Sequence, residues 1–249
     1  MKVTMHLRRK LVAVLAMTVL FPLRGVSQRS EGGELRPPNA QEKPILIHYR
    51  EVVAKLLNQF RSDDWEETID YEMTDEVQIS NDPDVPLDVD QMSQRSYLIR
   101  TGSALYEKEI APFAAKLSAM KDPNEMASLA KQMKMMNFSV ELNFNRAEAS
   151  LDPPPPGNPD LHVPGAALAY RLKPYKFDKG TSVILLFGNW KAATWNANTG
   201  GDRFKFKHSP HQPAIENIVI QLDGSPERID QLLHGVNWQV VNDALTERP

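Results

Sequence analysis

Apolar residues recur at helical spacing in the front of this chain and at alternate positions in its back. From Ile45 to Phe60 the residues Ile47, Val52, Val53, Leu56, Leu57 and Phe60 fall three or four apart or side by side, which predicts an amphipathic helix. Ile99, Gly102, Tyr106, Ile110, Phe113, Leu117 and Met120 continue that spacing and predict a second helix. Pro112 lies within it and lacks a backbone donor, so a kink or boundary is expected there. Asp122 followed by Pro123 is a cap and first-turn signal for a third helix, running to about Met136.

The period then changes to two. Phe138, Val140, Leu142 and Phe144 alternate with Ser139, Glu141, Asn143 and Asn145, predicting a strand with one buried and one wet face. Further strands are expected at 166–172, 182–190, 192–195, 203–208 and 215–222, with Thr199, Gly200 and Gly201 turning the chain before the fourth of these. Ser225, Pro226 and Glu227 open a closing helix, which Gly235 interrupts before Trp238, Val241 and Leu245 pack.

Two stretches lack either period. Between Asp63 and Asp90 there are twelve Asp or Glu and no Lys or Arg, with Pro83 and Pro86 near the end, so a loop is expected, with a short strand at most at 77–79. Residues 152–164, with prolines at 153–156, predict an extended loop. Helices first, strands next and a helix last predict an α+β fold, not a β-α-β alternation. The expected architecture is an antiparallel sheet of five to six strands packed against N-terminal helices and one C-terminal helix.

The first 27 residues read as an export signal. Lys2, Arg8, Arg9 and Lys10 precede an apolar run from Leu11 to Leu23, and Gly25, Val26 and Ser27 fit a cleavage site. Thirteen apolar positions containing Pro22 fall short of the roughly 20 that span a bilayer, so no span is expected in the mature chain. Arg8 and Arg9 also fit a loose twin-arginine pattern. Residues 28–43 are polar and contain Gly32, Gly33, Pro37 and Pro38, predicting a flexible leader before a single domain at 44–249. Within that domain, about 44–136 is expected to be helical and about 137–249 to hold the sheet and closing helix.

Composition narrows the function further. The absence of cysteine excludes disulfides, thiol chemistry and cysteine metal sites. The signal holds five of the 29 Lys and Arg and none of the 32 Asp and Glu, so the mature chain carries a formal charge of −8 and is a poor nucleic-acid binder.

Each candidate constellation competes with a plainer explanation. Asp82, Asp84, Asp88 and Asp90 offer alternating oxygen ligands for calcium, but the glycine position of a calcium loop is Leu87 and its twelfth is Ser93, which fits a solvated acidic loop better. Met133, Met135 and Met136 suggest copper(I), yet Met126, Leu129, Met133 and Met136 form an ordinary core face. His208 and His211 flank one loop that Asp202 would have to complete as a zinc or copper site. No His-Glu-x-x-His, Gly-x-Ser-x-Gly or phosphate-binding glycine loop occurs. Ser118 and Lys121, like Ser128 and Lys131, match Ser-x-x-Lys without partner motifs.

The C-terminal sheet is the preferred working surface. From Leu161 to His211 eight Lys or Arg face two acids, and Arg203, Lys205 and Lys207 alternate with Phe204 and Phe206. Trp190, Trp195, Asn196 and Asn198 add aromatic planes beside amides, the chemistry of sugar recognition. The expectation is an exported soluble binding protein, periplasmic or secreted. It would need no cofactor and recognise a carbohydrate or anionic envelope ligand, a polysaccharide or envelope protein. The alternatives are a carboxylate-based hydrolase of the envelope and a structural accessory protein that docks a protein partner.

Overall fold

The structure, a computed structural model, describes residues 35–71, 79–80, 92–146, 148–151, 161–172, 180–190, 194–196, 201–206 and 215–245. The signal segment, the four-proline run, the acids at Asp82, Asp84, Asp88 and Asp90, and Lys207, His208 and His211 lie outside the described residues.

Local order begins before Pro44. Strand β1 (Leu35–Arg36) pairs with β3 (Ile79–Ser80). Asn39 and Glu42 form a reciprocal cap: the Glu42 amide donates to Asn39 Oδ1 at 3.0 Å and the Asn39 amide to Glu42 Oε2 at 2.8 Å. Arg36 clamps the same carboxylate with two bonds of 2.6 and 2.7 Å. Helix α1 (Lys43–Leu57) follows, and Leu46, Tyr49, Val52, Val53, Leu56 and Leu57 are its buried face. Of the expected stripe, Val52, Val53, Leu56, Leu57 and Phe60 are buried, and Ile47 alone falls outside it, 55% exposed on the far side.

The front half is less helical than its pattern implied. Within the acidic segment, Trp65–Tyr71 forms strand β2, and Met92–Ile99 forms β4 beside it. As an edge strand, β2 tolerates acids on its open side, which hides its alternation. The predicted stripe from Ile99 is likewise divided: Ile99 ends a strand, and Gly102 turns the chain at φ +83°. A π-helical turn (Tyr106–Ile110) then leads into α2 (Ala111–Ala119), so the break expected at Pro112 takes the form of a widened turn just before it. Helix α3 (Pro123–Met135) starts where Asp122 Oδ1 accepts the Asn124 amide at 2.8 Å. Leu129 and Met133 are buried, but Met126 is exposed, so the methionine face is narrower than expected.

The centre is a six-stranded antiparallel sheet in the order β2-β4-β5-β11-β8-β7, with β5 at Phe138–Phe144, β7 at Leu168–Leu172, β8 at Thr181–Gly188 and β11 at Asn217–Gly224. Helices flank it, and the fold is α+β. Phe138, Val140, Leu142 and Phe144 meet α1 together with Val183, Leu185 and Phe187 of β8 and Ile218, Ile220 and Leu222 of β11. Ile229 of α4 (Pro226–Gly235) and Val241 and Ala244 of α5 (Gln239–Ala244) close this core, so front helix, sheet and closing helices share one interior. Ser225 caps α4 by accepting the Arg228 amide at 3.2 Å. Each fully buried leucine there contributes about 2 kcal/mol of apolar transfer.

The strands expected to extend this sheet instead make a second one. Glu148–Leu151 (β6), Thr194–Asn196 (β9) and Gly201–Lys205 (β10) pair in the order β6-β10-β9. Ala149 and Phe204 pack on Tyr170, Ile184, Leu186 and Val219, on the main-sheet face turned away from α1. With apolar neighbours on both sides, Val183–Phe187 reads as a continuous apolar run instead of an alternation.

Candidate functional site

The surface expected to bind ligand is only partly a surface. Trp190 is 8% exposed, its indole Nε1 donates to the Phe187 carbonyl at 3.0 Å, and its ring meets Phe206 edge-on at 5.2 Å. That indole is engaged inside the protein. Trp195 and Asn196 lie in β9, opposite Asp202 and Gly201, and Arg203 in β10 stands between Ser150 and Thr194 in register. Of the turn expected at Thr199, Gly200 and Gly201, the first two residues lie outside the described residues. Lys205 is exposed and opposite Glu148. Arg171, counted with the basic face, lies on the helix side and pairs with Asp230 of α4 at 2.6 Å. Asn198 falls outside the described residues.

A denser polar constellation stands on the main sheet, beside the area covered by the second sheet. Antiparallel register aligns Ser182, Asp223, Ser139, Ser96 and Thr68 across five strands. The next row holds Gln221, Glu141 and Gln94. Alternation puts both rows on the face opposite α1, because Val140, Leu142, Ile220 and Leu222 between them point into the helical core. The face expected to be wet is half-closed: Ser139, Asn143 and Gln94 are buried, while Glu141, Ser182, Gln221 and Asp223 are half-buried.

Asp223 is the hub. Gln221 Nε2 donates to its two oxygens at 3.0 and 3.2 Å, and the hydroxyls of Ser182 and Ser139 donate as well. Burial pushes the Asp223 carboxyl above the usual carboxylate range and the Glu141 charge adds to that, while the three donors act the other way. Glu141 accepts from Asn143 Nδ2 at 2.7 Å, and Arg146 reaches Asn143, not Glu141, at 3.4 Å. Gln94, opposite Glu141 in register, keeps a buried Oε1 with no hydrogen-bond partner. Among the described residues neither Glu141 nor Asp223 has an ion-pair partner.

Strands hold the donors and acceptors in fixed positions, which suits recognition of a polar ligand. Diagonal partners on antiparallel strands stand roughly 7 Å apart, so Asp223 and Glu141 can serve one ligand together. Among the described residues no three His, Asp or Glu come together as a metal site, and no helix is long and apolar enough to cross a membrane. Sequence reasoning recorded Glu141 and Asn143 only as wet positions. Their signal was the unbroken alternation in β5, but the strands bringing Gln94, Gln221 and Asp223 alongside could not be read from it. No family model, curated protein or solved structure matches the chain.

Proposed function

We propose that the chain is an exported binding protein that holds a carbohydrate against the polar rows of its central sheet. The observation that carries this reading is the joining of Asp223, Gln221, Ser182, Ser139, Glu141 and Asn143 on three neighbouring strands, around two carboxylates whose hydrogen-bond donors among the described residues are neutral groups. A sugar hydroxyl both donates and accepts, so it matches a face of carboxylates, amides and hydroxyls. The signal-like segment at 1–27 supplies the export part of the reading, with a periplasmic or secreted destination. An anionic ligand fits this face poorly, because two carboxylates would repel it.

Chemical-shift mapping of the purified exported chain against a panel of neutral oligosaccharides tests the proposal. Shifts at the amides of 139–143, 181–184 and 220–223 are expected. Shifts confined to 194–206 would move the site to the second sheet, and silence with every member would overturn the reading.

A second reading, a carboxylate hydrolase, is favoured by one observation. Asp223 is pushed toward its protonated form while Glu141 stands on the adjacent strand, a pairing in which one carboxyl gives a proton and the other activates water. Prolonged incubation with the same oligosaccharides, read by mass spectrometry, should then yield shorter products that Glu141→Gln abolishes. Intact substrate with the native chain removes this reading.

A further inference from the structure

Among the described residues the polar rows hold two half-buried carboxylates and one buried amide oxygen without a donor, and that bears on the ligand. The groups donating to Asp223 are neutral: two hydroxyls and one amide. Glu141 receives one amide bond among the described residues, from Asn143. The nearby guanidiniums are committed elsewhere. Arg146 bonds Asn143, and Arg95, on the other side of β4, bonds Glu67 and the Tyr71 carbonyl. Beside Glu141, Gln94 is 8% exposed and its Oε1 is a buried acceptor without a donor. Gln94 alternates with Ser93 and Arg95, which place the opposite face of β4 toward the helices, so its side chain belongs to the polar rows.

Among the described residues no cation meets these half-buried carboxylates, which raises the free energy of the empty site, and the buried Gln94 oxygen adds the cost of an unmade hydrogen bond. A neutral hydroxyl would satisfy the hydrogen bonds but leave the charge uncompensated. A metal ion would need further oxygen or nitrogen ligands than these two carboxylates supply. A primary ammonium brings three donors and one positive charge on a small head, which matches two carboxylates and one amide oxygen.

We propose that the carbohydrate bound on this face carries a free protonated amine, so that the ligand is an amino sugar seated with its ammonium between Glu141, Asp223 and Gln94. The assignment rests on the carbohydrate reading above and narrows it.

Calorimetry of the purified exported chain with two tetrasaccharides tests it, one of β-linked glucosamine and one of its N-acetylated counterpart. The free-amine probe should bind at least about tenfold more tightly, a difference that shrinks with added salt. In Glu141→Gln, checked for an unchanged melt, the two probes should bind alike. Equal affinities for the native chain would overturn the amine assignment and leave the carbohydrate reading standing. Binding of neither probe, nor of any neutral glycan, would overturn both. Trilysine binding as tightly as the glucosamine probe would overturn the amino-sugar assignment in favour of a basic peptide.

Discussion

Replacing Asn145 by alanine should loosen the end of the central sheet that lies away from the Ser139–Asp223 row. Asn145 follows β5 at φ +49° and is almost wholly buried. Its Oδ1 accepts the Glu216 amide at 2.7 Å and the Asn217 amide at 3.5 Å, and its Nδ2 donates to the Tyr49 hydroxyl of α1 at 3.3 Å. Asn217 returns the exchange, with Oδ1 accepting the Arg146 amide and Nδ2 donating to the Arg146 carbonyl, each at 2.9 Å. Alanine removes the side-chain bonds, worth about 1 kcal/mol each, and leaves amides unpaired. It also puts a Cβ into the left-handed region, at a cost of roughly 1 kcal/mol more than asparagine. The expected loss is about 3–5 kcal/mol, a large part of a typical folding free energy. Asn145→Gly loses the same bonds without the backbone cost. Urea unfolding followed by tryptophan fluorescence should therefore rank stability as native, Gly, Ala. Alanine within about 0.5 kcal/mol of native, or above glycine, would refute the reasoning.

The remaining predictions concern Asp223, Gly188 and Trp190. The folded Asp223 carboxyl is held above its unfolded range, so its contribution to stability is full at low pH and is lost as pH rises through the folded value. Asp223→Asn should accordingly gain stability relative to native between acid and neutral pH in paired thermal melts, and a gap independent of pH would contradict the shift. Gly188 has φ +106° and a Cβ there would lie 2.5 Å from the Glu216 carbonyl, so Gly188→Ala should cost more than about 2 kcal/mol and speed amide exchange at the β8–β11 joint. Trp190→Ala should lower stability by about 3–5 kcal/mol by leaving a cavity beside Phe206 in the core under the second sheet. Ligand affinity measured well below the variant's melting temperature should stay native, and a selective loss of affinity with unchanged melting would return Trp190 to the binding surface.

Elements specified by nearby residues were legible in the sequence, and those specified by distant partners were not. The helix at Lys43–Leu57, the strand at Phe138–Phe144 and the cap at Ser225 follow from spacing and local hydrogen bonds. Strand β4 escaped because its helix-facing positions include Ser93 and Arg95, and the buried Arg95 finds partners on the distant strand β2, among them Glu67 at 3.1 Å and the Tyr71 carbonyl. The second sheet escaped because Arg203–Lys205 alternates equally well whichever neighbour it pairs with. The polar site suffered most from this, since its residues come from β4, β5, β8 and β11 and only register unites them.

Strand β11 has a consequence for the order of events in the life of the chain. It is the eleventh strand in sequence yet lies third from one edge of the sheet, between β5 and β8. The strands made earlier form two separate pieces, β2-β4-β5 and β7-β8, each exposing a row of unpaired backbone groups where β11 belongs. Until Asn217–Gly224 emerge from the ribosome the two pieces cannot join, and an emerging chain has an open seam to which a chaperone can bind. Closure of the central sheet therefore waits on the last of its six strands to be made.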